Sequence, residues 1–283
     1  MAMLMELIGA KIFQPKNLRQ TKMAEEALRF HKNQRLLILG TCFTAVSCLV
    51  TTPIFYNKNE EQLPFTGWYP FNVTRSPHHE LIYLYQCTAI FFEVFINMYT
   101  EITMGAFCTF ISIQCDFICD NLRSIDAKDS TAKINDFVEH HIQTVRFSKI
   151  TEVVYAEICL AQFASITLAL CMSLLLLSGV DSSDFEFVFL LFFQLSMFTL
   201  LLQPCWFSSE TQRRSELIPE AIFGSPWVDL SKSFRNDMIF FIARTQKPIK
   251  LHAVNFFHIS LDIFVQILKT SFSYYTFLST IVE

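Results

Sequence analysis

The chain has 283 residues, of which 52% are hydrophobic and 17% charged, and Phe alone fills 31 positions. Soluble domains carry about 25% charged residues, so the composition excludes a pair of ordinary soluble domains, and it excludes a disordered chain as well. A net charge of −4 leaves no basic field for nucleic acid, which is not expected as a partner. What remains is an all-α integral membrane protein embedded in a lipid bilayer.

A helix crosses a bilayer with about 20 mostly apolar residues. Residues 1–35 precede the first such stretch and read as a cytosolic segment, with residues 23–35 forming a charged helix. They do not resemble a signal peptide, because Lys11 and Lys16 follow the short apolar start instead of preceding it. Span A covers 36–55 and has no charge. A loop at 56–80 leads to span B at 81–113, which is too long for one bilayer thickness and contains Glu93 and Glu101. A helical connection at 114–152 follows, then span C at 153–180, a turn at 181–186 and span D at 187–207. A second connection at 208–252 leads to span E, which starts at about Ala253, runs to the C-terminus and contains Asp262 and Lys269.

Lys and Arg sort sharply between the two sides. The segment before A holds seven, the B–C connection five and the D–E connection seven. The A–B loop holds only Lys58 and Arg75, and the C–D turn holds none. The side rich in these residues is cytosolic, so the N-terminus is expected inside the cell and the C-terminus outside. Asn72-Val73-Thr74 is a glycosylation sequon in the loop that this count places outside, so Asn72 is the expected acceptor.

Within the D–E connection, Phe234, Met238, Phe241 and Ile242 recur at i, i+4, i+7 and i+8. This spacing predicts an amphipathic helix over Ser231–Gln246, capped by Ser231 and ended by Pro248. Its apolar face requires a partner, in this chain or in another subunit.

Enzyme signatures are missing: there is no GxSxG, HExxH or phosphate loop. His78, His79, His140 and His141 are expected on solvated surfaces. Seven of the nine cysteines lie in or beside apolar runs and act there as small hydrophobes. Cys115 and Cys119 lack companions at zinc-site spacing, so no metal and no cofactor are expected. The chemistry-bearing features lie elsewhere. Ionisable residues in spans face a bundle interior or water. Span E adds Ser271, Ser273, Thr276, Ser279 and Thr280 to its two charges, which suits the wall of a water-filled path. At the outer end, Trp68, Tyr69, Tyr83 and Phe91 are candidates for an apolar pocket; an interfacial aromatic belt is the alternative. Such a pocket would take a small apolar volatile ligand, held mainly by burial of its surface.

The stretch AIFGSPWVDLSKSFRNDMIFFIARTQKPIKLHA, followed by NFFHISLDIFVQILKTSFSYYTFLS, resembles the C-terminal third of insect odorant receptors. LPFTGWYPF resembles their second extracellular loop, and PCWFSSE fits the end of span D. The resemblance implies a seven-span fold in which A to E are the third to seventh spans. Two spans and an N-terminal helix are then expected upstream, as in a truncated gene model. It also implies an odorant-gated cation channel in the plasma membrane of olfactory sensory neuron dendrites, a heterotetramer with a shared co-receptor. The co-receptor carries a long insertion for which the 39 residues from Gln114 to Glu152 leave no room, so a ligand-tuning subunit is implied. The last helix would line the pore, with Phe277, Thr280 and Ile281 at the gate on one helical face. The Ser231–Gln246 helix would belong to the cytosolic anchor that joins subunits. A gustatory-type receptor is the first alternative, but SYYTFLSTIVE lacks that group's QF ending. A secondary transporter is the second, and would need helices broken at the midplane.

Overall fold

The computed structural model describes residues 2–56, 63–64, 67–70, 73, 76–125, 134–180, 185–254 and 256–282. Asn72 lies outside them, as does the side chain of Ile281. The order is α1 (Ala2–Ile8), α2 (Leu18–Tyr56), α3 (His78–Arg123), α4 (Ile134–Gly179), α5 (Phe185–Phe223), α6 (Lys232–Thr245) and α7 (Leu261–Val282). Between α6 and α7, β1 (His252–Ala253) pairs antiparallel with β2 (Phe257–His258), placing His252 opposite His258. The architecture is therefore all-α with one minimal strand pair.

The helices α2 to α5 have 39, 46, 46 and 39 residues. At 1.5 Å per residue the longer ones extend about 70 Å, more than twice the hydrocarbon core of a bilayer. Four helices are long and apolar enough to cross a membrane by length and composition, within Leu18–Thr51, His78–Arg123, Ile134–Gly179 and Glu186–Phe223. They overlap the stretches expected from the sequence to be spans A to D. Among the described residues α7 does not reach that measure, because Asp262, Gln266, Lys269 and a series of hydroxyl residues dilute its apolar content. It begins at Leu261, with Ala253 in the preceding strand pair. Hydropathy does not register that pairing, since Ala253, Phe257 and Ile259 are themselves apolar.

Two compact units emerge from the contacts. The first comprises Met1–Asn33, Thr103–Gln162 and Gln203–Val265; the second comprises Gln34–Ile102, Phe163–Leu202 and Gln266–Glu283. The first unit is built around a run of rings. Phe13 meets Phe110 edge-on at 5.3 Å, Phe110 meets Phe147 at 4.8 Å, and Phe107 touches Phe147 and Tyr155 at 5.7 and 6.2 Å. Gly105 allows a close approach here: a Cβ on it would lie 3.1 Å from the Phe207 ring and 3.2 Å from His31.

Polar side chains lock the same unit. Arg214 bonds Asp116 at 2.8 Å and Glu210 at 2.6 Å, while Arg213 takes the other side of Glu210 at 2.7 Å. Burial raises the Asp116 carboxyl against the pull of Arg214. Burial also raises Glu210, but the hydrogen bonds from Arg213 and Arg214 outweigh it and hold that carboxyl low. Gln20 donates to Asp120 at 3.1 Å and to Asn121 at 2.8 Å, tying the start of α2 to α3.

The amphipathic helix forms as its spacing predicts. Ser231 caps α6 by accepting from the Phe234 amide, and Phe234, Met238, Phe241 and Ile242 are buried. The partner of that face lies in the same chain: Phe241 packs edge-on against His141 of α4 at 5.6 Å. Ile239 and Phe240 on the other side are 55% and 77% exposed.

The expectation of solvated histidines is corrected for one pair. His140 and His141 are 4% and 3% exposed. His140 bonds the Gln114 amide oxygen at 2.9 Å, and the Gln114 nitrogen donates to the Phe13 carbonyl. The charges nearby in sequence hide this, because the helical face, not the local composition, decides burial. Burial lowers both rings to about 4, with Lys16 adding to the effect at His140 and Arg244 at His141.

Both folded values lie below the usual 6.5, so the unfolded chain binds more protons as the pH falls through that window. The contribution of these two rings to stability is fully present above pH 6.5 and is lost towards pH 4, by an amount on the order of a few kcal/mol. Thermal unfolding of the detergent-purified chain at pH 7.5 and pH 5 should show the loss, and His140→Gln should flatten the dependence.

Candidate ligand-binding site

The second unit contains the apolar cavities. Ile38 and Cys42 of α2 pack on Met98 of α3, with Val94 and Leu200 against them. Polar atoms fix the adjoining turns. The Ser196 hydroxyl donates to the Thr41 carbonyl at 3.0 Å, and the Thr41 and Thr199 hydroxyls are 3.3 Å apart. Gln194 donates to Ser173 at 2.9 Å, joining α5 to α4.

Beside this cluster lies a cavity of about 280 Å³ between α2, α3 and α5. Cys42, Val46 and Leu49 supply one wall, Phe189, Phe193 and Met197 another. The third wall is one face of α3: Ile90, Glu93, Val94, Asn97 and Met98, at i, i+3, i+4, i+7 and i+8. Phe189 and Phe193 approach to 6.1 Å. A groove of about 880 Å³ shares Val46, Val94 and Met98 with it and opens across Leu36, Leu39 and Phe43 to Phe91, Phe92 and Phe95. Several of these groove residues are exposed, Phe43 and Phe95 at 66% each. The cavity is dominated by carbon, so it can hold a small molecule by surface burial, with a few polar atoms to orient it.

The sequence-derived candidates spread over several places. Phe91 lines the groove. Tyr83 donates its hydroxyl to the Val50 carbonyl and so braces α3 on α2. Tyr69 accepts from Gln86 at 2.9 Å. Trp68 is 88% exposed. None of the four lines the smaller cavity. On α7, Phe277 is 63% exposed, and the exposed Thr280 hydroxyl donates back to the Phe277 carbonyl at 2.7 Å. The opposite face of α7 is held by Ser271, buried and donating to the Thr167 carbonyl of α4 at 3.4 Å. Asp262 and Lys269 are both exposed and form no ion pair among the described residues. The two carboxylates of span B differ: Glu101 is 2% exposed, whereas Glu93 lies on the cavity wall.

Cys42, Phe189, Phe193, Ser196 and Met197 escape a search by sequence. They stand in uncharged runs where every position looks alike to hydropathy. The 3.6-residue register of Ile90, Glu93, Val94, Asn97 and Met98 is a readable signal, carried by the two polar positions.

Comparison with known proteins agrees with this architecture. The family model for the 7tm odorant receptor matches residues 1–272, and the chain belongs to that family. Odorant receptor 10 of Aedes albopictus is 24% identical, the match covering 85% of this chain and 64% of that receptor. Odorant receptor Or2 of Anopheles gambiae is 22% identical over 88% of this chain and 70% of its own length. The chain thus spans about two thirds of these relatives. The olfactory receptor OR5 of Machilis hrabei, solved in complex with eugenol, superposes with a TM-score of 0.90 at 18% identity. That superposition covers 99% of this chain and 74% of the other. Membership places the chain among receptors, not enzymes.

If the cavity is the binding site, Phe193→Ala should favour bulkier volatiles over small ones, because the lost ring enlarges the space. Trp68→Leu should leave equilibrium affinities within about two-fold, since an exposed ring contributes little burial. Competition binding in nanodiscs measures both.

Proposed function

We propose that this chain is an odorant receptor subunit that binds a small volatile ligand in the α2–α3–α5 cavity and contributes α7 to a cation-conducting pore. The observation that carries the proposal is that cavity: small, carbon-lined, and built between helices of a chain that belongs to the odorant receptor family. The eugenol complex of the Machilis receptor supports a ligand of this class. Phe91 lines the adjoining groove, and Trp68, Tyr69, Tyr83 and Phe91 would tune access to the site. Long unbroken helices, α4 among them, tell against a transporter built on broken half-helices.

The topology follows the charge count. Spans A to E serve as the third to seventh of a seven-span receptor in the plasma membrane of olfactory sensory neuron dendrites. The N-terminus is cytosolic, and Asn72 and the C-terminus are outside. Of the Lys and Arg residues assigned to the cytosol, all the described ones but Arg35 belong to the first unit. A shared co-receptor completes a heterotetramer, and the exposed Ile239 and Phe240 of α6 suit its cytosolic anchor. Phe277, Thr280 and Ile281 line the gate, on the side of α7 that includes the exposed Phe277 and Thr280. An apolar constriction there closes by excluding water, and the threonine hydroxyl meets a passing hydrated cation.

Two measurements test the proposal. The chain should lose mass on enzymatic deglycosylation unless Asn72 is replaced, and a C-terminal tag should stain without permeabilisation; staining only after permeabilisation defeats the topology. Co-expressed with the co-receptor, Thr280→Glu should raise calcium over sodium permeability, because a carboxylate attracts divalent ions. Reversal potentials that do not move, with the variant subunit in the conducting complex, remove this face from the pore.

A further inference from the structure

The cavity between α2, α3 and α5 has one carboxylate in its lining, that of the exposed Glu93. Glu93 sits one helical turn from Asn97, whose side-chain amide donates to the Glu93 carbonyl at 3.0 Å. No Lys, Arg or His lines the cavity, and Glu93 takes part in no ion pair among the described residues. A carboxylate at membrane depth is costly unless it is paired or meets water. Lipid cannot pair it, and the wall supplies no cation. Phe189 and Phe193 line the same cavity, and the faces of aromatic rings attract a cation. The Ser196 hydroxyl is committed to carbonyl oxygens of Thr41 and Phe192, so its oxygen offers an acceptor and no free proton. The polar atoms of the wall thus favour a donor-bearing, positively charged group.

We infer that the cavity selects volatile amines, with Glu93 holding the ammonium group and Phe189 and Phe193 enclosing the ligand. The inference rests on the proposal that this cavity is the odorant site and names its ligand class. A volatile amine enters through air and lipid as the neutral base. It takes up one proton from water, the hydroxide left behind is neutralised by the buffer, and the ammonium so formed pairs with the Glu93 carboxylate. The Asn97 side chain lies alongside on the same helical face and restricts the Glu93 turn. Alcohols, esters and ketones of equal size fill the same carbon walls but leave the carboxylate without a counter-charge.

The test uses 2-phenylethylamine and 2-phenylethanol, which differ only in the terminal group, on the whole chain in neutral-lipid nanodiscs near pH 7. The wild-type chain should bind the amine more tightly. Glu93→Gln should weaken the amine by about ten-fold or more, the usual scale of a charge-assisted hydrogen bond, and change the alcohol by less than two-fold. Glu93→Asp should keep the preference in part. Equal affinity for both probes, or preference for the alcohol, overturns the amine inference while the odorant site stands. Equal weakening of both by Glu93→Gln assigns the residue to structure and overturns it too. Binding of neither probe, nor of any neutral volatile, defeats the cavity as an odorant site.

Discussion

Backbone hydrogen bonding in an apolar solvent is the constraint on which the structure depends. Inside hydrocarbon an open amide or carbonyl has no water to meet, so the chain must satisfy those groups within each segment. Helices of 39 to 46 residues do so. Hydroxyl side chains follow the same rule. Thr44, Ser47, Thr88, Thr100, Thr109 and Thr167 each donate to the carbonyl four residues earlier on their own helix. A chain with many serines and threonines in its spans therefore remains compatible with the bilayer.

A different chemistry holds the first unit. The first unit combines a run of aromatic rings with charge pairs such as Arg214–Asp116 and Arg19–Asp120. Exposed ion pairs contribute little. Arg214 is half-buried and reaches two carboxylates from one helical position, so it fixes the register of α5 against α3. Gln114 links His140 to residue 13, bonding the ring through its oxygen and donating from its nitrogen to the Phe13 carbonyl.

The second unit is organised differently. Its cluster of Ile38, Cys42 and Met98 is small, and cavities open on its flanks. Dense packing is the norm in protein interiors, so space retained beside such a cluster is space available to a ligand. Hydroxyls at Thr41, Ser196 and Thr199 hold the walls without filling them. On α7, Ser271 faces α4 while Phe277 and Thr280 remain on the exposed side. One helix can thus keep contact with its own chain and present another face to a partner.

The sequence by itself determined the all-α class, the presence of long apolar helices and the charge asymmetry, because solvent transfer acts residue by residue and leaves a linear record. It also determined α6, since Phe234, Met238, Phe241 and Ile242 repeat with the helical period and Ser231 stands at the cap. The resemblance carried by the C-terminal block led to the family that the comparison then established. Tertiary structure alone decided the burial of His140 and His141, which depends on the face that α4 turns to α3 and α6. It alone assembled the cavity, whose walls come from residues as far apart as Cys42 and Met197. Hydropathy reports how apolar a helix is, but not which of its equally apolar faces will meet another helix and which will border empty space.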